Sequence, residues 1–336
     1  MKRELQAVAI AVLASIAVGS VLMLIVGRSP AEVWWTMIVE TLGDRFGLGQ
    51  VLYKATGLAL TGLAVALALD VGLFNIGAEA QLGAGVLACA VVGTALPVGT
   101  PAIVAIPACL VAAAGAGAAI GAAIGALRAY RGAHEVITSI MFNAIIAGVT
   151  LWLGNSYVFR AGTTTGAPIV PGAELPQLPL AGSAANAAIA LAAVAVGAMW
   201  WLRERSVWGS AWRAVGRDPD AARAVGISVE RVRLLAMTGS GALAGLAAAN
   251  FVMGDKHAFE QGLGSGTGIL GIVAALLGRV HPVGIVVASL GLGFLSAGGL
   301  AVSRLVPREV SEVLQGVVLL AVAAAVPYVQ RQAASS

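Results

Sequence analysis

Charge is what this sequence has least of. Only 11% of its 336 residues are Asp, Glu, Lys or Arg, against about 25% in a soluble globular domain. That shortfall, with a mean hydropathy of +0.92, makes lipid the main solvent. Aromatic residues make up 5%, and cysteine is confined to Cys89 and Cys109, each inside an apolar run. The two cysteines read as small buried hydrophobes, without a disulfide framework or a metal-ligand spacing. The three histidines, His134, His257 and His281, stand in separate loops in no zinc-binding pattern. No GxxxxGK[ST] nucleotide-binding loop, Ser-His-Asp order or nucleophile elbow occurs anywhere. The net charge of +4 does not point to nucleic acid, because the basic residues sit in short loops between apolar runs. What remains is 59% hydrophobic residue and 44 glycines, the small-residue composition that lets membrane helices approach closely.

A membrane helix needs roughly 20 apolar residues. Ten segments are candidates, several of them short or glycine-rich with ends soft by several residues: 5–26, 56–74, 82–96, 103–127, 136–153, 186–202, 234–253, 266–278, 283–300 and 310–328. The expected fold is therefore an all-α, polytopic, single membrane domain over 1–336. Residues 1–26 resemble a signal peptide but lack a small-residue cleavage site, so they read as a retained first helix. With both termini cytoplasmic, 13 of the 20 Lys and Arg residues fall on the inner side, the asymmetry expected of that orientation. Spans two to five and seven to ten have opposite directions, and the second member of each set is short and glycine-interrupted. This topology predicts two inverted repeats.

Three connecting segments have character. Residues 30–41 (PAEVWWTMIVET) are amphipathic, with Trp34 and Trp35 suited to the headgroup region. Residues 155–183 contain four prolines and read as an outer loop of little regular structure. Residues 203–233 form the longest and most charged inner loop. Within it Asp218 is a candidate N-cap, Pro219 suits the first helical position and Gly226 suits a C-terminal stop. A capped helix here is a docking element for a soluble partner or a solvated connection.

GTGILG at 266–271 satisfies GxGxxG, but no strand precedes it and no acidic residue follows about 20 positions on. Close helix packing or a bend explains it better than a dinucleotide. The segment from Asp70 through Asn75 and Glu79 to Gln81 places polar side chains beside apolar spans, where they are costly unless they face protein or water. Two readings stay open: polar lining of a path, or a tight cytoplasmic turn in which Asn75 and Glu79 cap the third span. A proton relay through Glu79 is a weaker alternative.

Several long motifs in unbroken order resemble the permeases of ATP-binding cassette importers of the branched-chain amino acid and ribose type, nucleoside subgroup. They are YKATGLALTGLA at 53–64, LFNIGAEAQL at 73–82, EVITSIMFN at 135–143, RAVGRDPDAARAVGI at 213–227, SGALAGLA at 240–247 and GIVAALLGR at 271–279. Ala80 stands where the subgroup mostly has Gly, and Asp70 where a basic or polar residue is common.

The resemblance implies a non-catalytic permease of about ten helices in the bacterial cytoplasmic membrane. It pairs with a second related permease, as a heterodimer. ATP and magnesium are bound by separate ATPase subunits, and an external binding lipoprotein delivers nucleosides. Another sugar or a nucleobase-like or flavin substrate is the alternative, and an ion-coupled secondary transporter a more distant one. Asn75, Glu79, Gln81 and Asn143 are the candidate path residues. Arg213, Arg217, Asp218, Pro219, Asp220, Ala221, Ala222 and Gly226 are the candidate ATPase-coupling residues. The chain itself is expected to bind no metal or cofactor.

Overall fold

A computed structural model of the chain describes residues 13, 16–307, 313, 316 and 317. The helices in chain order are α1 (Ile16–Ile25), α2 (Pro30–Leu42), α3 (Arg45–Asp70), α4 (Ala78–Ala95), α5 (Ala102–Arg131), α6 (Glu135–Leu153), α7 (Ala188–Arg205), α8 (Val207–Arg217), α9 (Pro219–Ala224), α10 (Val229–Leu246), α11 (Thr267–Leu277) and α12 (Pro282–Ala301). Among the described residues, six helical segments are long and apolar enough to cross a membrane, and a seventh if the bent α1–α2 pair is counted as one. The protein is thus a multi-pass helical membrane protein. The expected span at 310–328, and the first half of the span at 5–26, lie outside the described residues.

The chain divides into two compact units. The first holds α1, α2, the start of α3, residues 180–183 and the end of α12. Between α1 and α2 the chain turns by 118°. Gly27 takes a left-handed φ of 77° there, and Pro30 opens α2 at a position where its missing N–H costs nothing. Val33 and Met37 pack with Met23, Val302 and Val306, while Trp35 is 69% exposed. Trp34 Nε1 donates to Ser20 Oγ at 3.0 Å, closing the bend. The amphipathic reading of 30–41 is therefore a helix with one apolar side buried.

The second unit spans residues 55–179 and 184–289. Its centre is the remainder of α3, where Leu60, Leu63, Ala64, Val65, Ala66 and Ala68 are completely buried. A helix apolar all round belongs inside a bundle. The tightest crossing joins α5 to α10. Gly117, Gly121 and Gly125 of α5 face Met237, Gly241 and Gly245 of α10, and a Cβ on Gly117 or Gly121 would collide with the Gly241 or Met237 carbonyl. Helices in lipid gain little from hydrophobic exclusion, so backbone contact of this kind supplies the packing.

The loop at 155–183 is more ordered than its composition suggests. Strand β1 (Thr165–Pro168) pairs antiparallel with β2 (Ala258–Glu260). Phe159 stacks on Phe259 with ring centroids 5.5 Å apart, and the Ile169 and Leu175 amides donate to the His257 and Met253 carbonyls at 2.8 Å. The all-α expectation is corrected to this extent. Buried backbone groups in a loop need partners, and three- and four-residue strands are too short to show an alternating pattern.

The glycine crossing makes a paired prediction. Gly121→Leu should destabilise the protein by roughly 1–3 kcal/mol through overpacking and reduce its accumulation in membranes. Gly115→Leu, on the open side of α5 where nothing lies within 4 Å, should leave both unchanged. Membrane-fraction abundance and the thermal unfolding midpoint in detergent check this.

Candidate functional site

The polar residues of the 70–81 segment converge where α4 begins. After α3 ends at Asp70 the chain runs back beside the bundle before α4 starts. Asn75 Nδ2 donates to Ser240 Oγ at 2.7 Å and to Gln81 Oε1 at 2.8 Å, and Ser240 Oγ donates to the Ala64 carbonyl at 2.5 Å. Ala64 lies about 9 Å back along α3 from its end, and Ser240 about 16 Å along α10 from its start. The start of α4 therefore lies inside the bundle, about a quarter of the way along the 26-residue α3 from its end. Asn75, Gln81 and Ser240 are fully buried.

A helix that starts inside the bundle leaves N–H groups without water to satisfy them. Asn143, from α6, serves α4: its Oδ1 accepts from the Ala80 amide at 3.0 Å and its Nδ2 donates to the Ile76 carbonyl at 3.1 Å. Glu79 serves a different helix. Its carboxylate accepts from the Gly266 amide at 2.6 Å and the Gly268 amide at 2.9 Å, capping α11. The N-cap of α4 itself is Gly77, with no side-chain cap. The turn reading, in which Asn75 and Glu79 cap the third span, is thereby corrected: Glu79 caps the helix packed against its own, and Asn75 bonds to Gln81 and Ser240.

GTGILG at 266–271 now has a steric account. Gly266 takes φ 82°, in the left-handed region, and as N-cap offers no side-chain oxygen of its own. A Cβ on Gly268 would strike the Ala78–Glu79 backbone, and one on Gly271 would strike Thr61 of α3. The motif is a close-packing signal that lets the start of α11 rest on the start of α4.

Beside this junction lies a cleft of about 530 Å³, its mouth included, between α4, α6 and residues 259–265. Glu79, Asn143, Thr150, Glu260 and Ser265 supply its polar groups, and Leu82, Val86, Ile146 and Phe259 its apolar wall. Of the four candidate path residues, Glu79 and Asn143 line the cleft. Asn75 and Gln81 lie behind it, bonded to each other. Ser240 and the backbone of 262–266 were not identified from sequence. Ser240 stands in a small-residue helix face, where serine is equally a packing residue.

The loop at 203–233 contains two helices. The first, α8, was not anticipated; Ser206 caps it through Gly209. The second, α9, has Asp218 Oδ1 accepting from the Asp220 and Ala221 amides at 3.0 Å each. Pro219 is its first residue, and Gly226 at φ 86° turns the chain out of it. Ala222 is buried, whereas Arg217, Asp220 and Ala221 are exposed. Arg213 turns inward to the Arg203 carbonyl. Arg223 bridges Asp220 at 2.9 Å and Glu230 at 2.7 Å. The Glu230 hydrogen bond, with smaller help from Asp220, holds the Arg223 guanidinium above its ordinary pKa. Among the described residues, no three His, Cys, Asp or Glu side chains converge in a way that could hold a metal ion.

A bundle of apolar helices broken by a polar, capped junction beside a cleft defines a transport subunit. The pattern of the family described as branched-chain amino acid transport system, permease component, matches residues 47–323, and the chain belongs to that family. The chain is 35% identical to the guanosine ABC transporter permease protein NupP of Bacillus subtilis, over 94% of this chain and 91% of that one. It is 35% identical to the glucose ABC transporter permease protein TsgB13 of Haloferax volcanii, over 92% and 84%. To the nucleoside ABC transporter permease protein NupB of Lactococcus lactis it is 29% identical, over 94% and 89%.

The cap predicts that Glu79→Ala lowers stability by on the order of 1 kcal/mol, and by up to about 2. Glu79→Gln, which keeps one acceptor oxygen, should recover part of the loss. Thermal unfolding of the purified permease in detergent measures both.

Proposed function

We propose that this chain is one of two permease subunits of a binding-protein-dependent nucleoside importer. It sits in the bacterial cytoplasmic membrane with both termini and the 203–233 loop on the cytoplasmic side. ATP is bound with magnesium and hydrolysed by separate ATPase subunits, for which the absence of a GxxxxGK[ST] loop from this sequence speaks. The observation that carries the reading is the polar cleft beside the junction of α4 and α11, in a chain that matches a guanosine permease along 94% of its length. In this reading ten spans cross the membrane, the tenth at 310–328. The short helices α4 and α11 are corresponding members of two inverted repeats.

Glu79 and Asn143 contact the permeant, while Asn75 and Gln81 hold the junction behind them. The cleft borders α6, whose Ile137, Ile140, Met141 and Ile145 are at least half exposed. Glu79 and Glu260 would be costly facing lipid across that opening, which favours closure by a second, related permease. The ATPase docks on the 203–233 loop. Asp218, Pro219, Ala222 and Gly226 shape α9, Arg213 ties α8 to α7, and Arg217, Asp220 and Ala221 face the partner. Val207 and Val225 are 82% and 76% exposed, apolar surface that an ATPase groove would cover.

Proteoliposomes holding the permease pair and ATPases, supplied with the binding protein, should accumulate labelled guanosine on ATP addition. Unlabelled nucleosides should compete and glucose should not. Accumulation of glucose in preference to guanosine would overturn the substrate assignment. Asp220→Arg and Gly226→Pro should lower transport per ATP hydrolysed at least ten-fold without loss of the protein from the membrane. Wild-type ratios in both would remove the docking assignment.

A further inference from the structure

Where α3 ends and the 203–233 loop begins, several segments meet on one side chain. Arg203, near the end of α7, places Nη2 at 3.2 Å from Asp70 Oδ1, and both side chains are shielded, at 17% and 6% exposure. Its Nη1 donates to the Val280 carbonyl, in the turn between α11 and α12. Its own carbonyl accepts from Arg213 of α8. Gly216 of α8 lies against the Asp70 carbonyl and Gly72 with no space for a Cβ. The second Asp70 oxygen, Oδ2, is buried without a hydrogen-bond partner among the described residues.

The turn that Arg203 grips is strained. Arg279 and Val280 are consecutive residues at φ 55° and 61°. The left-handed region is unfavourable for any residue with a Cβ, and a β-branched one there is an outlier. Such a conformation persists only when its surroundings over-determine it, and it collects at switching sites. Three backbone bonds serve the turn: the Arg279 amide to the Leu276 carbonyl at 3.0 Å, the Val280 amide to the Ala275 carbonyl at 2.9 Å, and the His281 amide to the Gly278 carbonyl at 3.0 Å. Arg203 adds a side-chain restraint to these, from outside the turn. Beyond the turn lies α11, about 16 Å long, whose far end is held by Glu79 at the cleft. One short helix thus runs from the strained turn to the proposed permeant site.

We propose that Arg203 is a positioning residue for transport. By bridging Asp70 to the Val280 carbonyl it holds the Arg279–Val280 turn in its left-handed form. Displacement of the 203–233 loop exchanges that bridge and tilts α11 against the cleft. The inference rests on the coupling role of that loop.

The test uses the complete transporter in proteoliposomes, with labelled guanosine or glucose, whichever the wild type takes up. Arg203→Gln should lower transport per ATP at least ten-fold. Adding Val280→Gly, which relieves the strain at the β-branched position of the turn, should bring it back to within about three-fold of wild type. Adding Asp70→Asn, which only removes the unpaired charge, should not. Wild-type coupling in Arg203→Gln, no recovery with Val280→Gly, or equal recovery with Asp70→Asn would each overturn the proposal.

If Arg203→Gln fails to reach the membrane, Val280→Gly alone decides. It should raise the thermal midpoint and slow transport several-fold, while Val280→Ala, which keeps a Cβ in the left-handed region, should stay much closer to wild type in both. No difference between Gly and Ala at 280 overturns the proposal. Asp220→Arg separates the two layers: if it uncouples and Arg203→Gln does not, the hinge is wrong and the docking loop stands. If Asp220→Arg leaves coupling intact, the docking reading is what failed.

Discussion

A helix that starts inside a bilayer exposes amides where no water can receive them, and each unsatisfied group costs several kcal/mol. The Glu79 carboxylate on the amides of Gly266 and Gly268 answers this constraint for α11, and the Asn143 amide answers it for α4. Both answers come from other helices. Breaking two helices at the same depth therefore requires that α4, α6 and α11 be assembled together. The cleft lies along the join, so the backbone breaks that make a polar surface and the side chains that make those breaks tolerable are one feature.

The remaining packing follows from bringing backbones close enough for such short reaches. Gly268 and Gly271 let α11 rest on α4 and α3, and Gly117, Gly121, Gly241 and Gly245 do the same for α5 and α10. A bundle of this kind is stiff where glycines meet and adjustable where a bond reaches across a turn. The grip of Arg203 on Val280 belongs to the second kind, and it lies next to the loop with the most exposed apolar side chains that the proposed ATPase would cover. The division suits a protein that moves in rigid pieces.

Most spans were legible because lipid imposes a length and a composition on each helix: α4 to α7, α11 and α12 stand within about four residues of the apolar runs that announced them, while α3 begins at Arg45, well before the run at 56–74, and α10 ends at Leu246, short of the run's end at 253. The α9 helix was legible because capping is local: Asp218, Pro219 and Gly226 act on their near neighbours. The cleft was half legible. Glu79 and Asn143 stood out as polar residues amid apolar ones, but the same signal marked Asn75 and Gln81, which face inward. Helix α8 and the β1–β2 pairing gave no usable signal, one lying inside a charged loop and the other needing a partner about ninety residues away.

By itself, then, the sequence determined that this chain lives in lipid, where most of its apolar helices fall, and that a short capped helix interrupts its most charged loop. Those properties depend on composition and on residues a few positions apart. Only the tertiary structure decided which helix Glu79 caps, why Gly266, Gly268 and Gly271 must be glycines, and that Arg203 joins Asp70 to Val280. Each of these is a contact between segments far apart in the chain. A carboxylate is the same letter whether it caps its own helix or its neighbour's, and the left-handed turn at Val280 leaves no trace in the choice of valine.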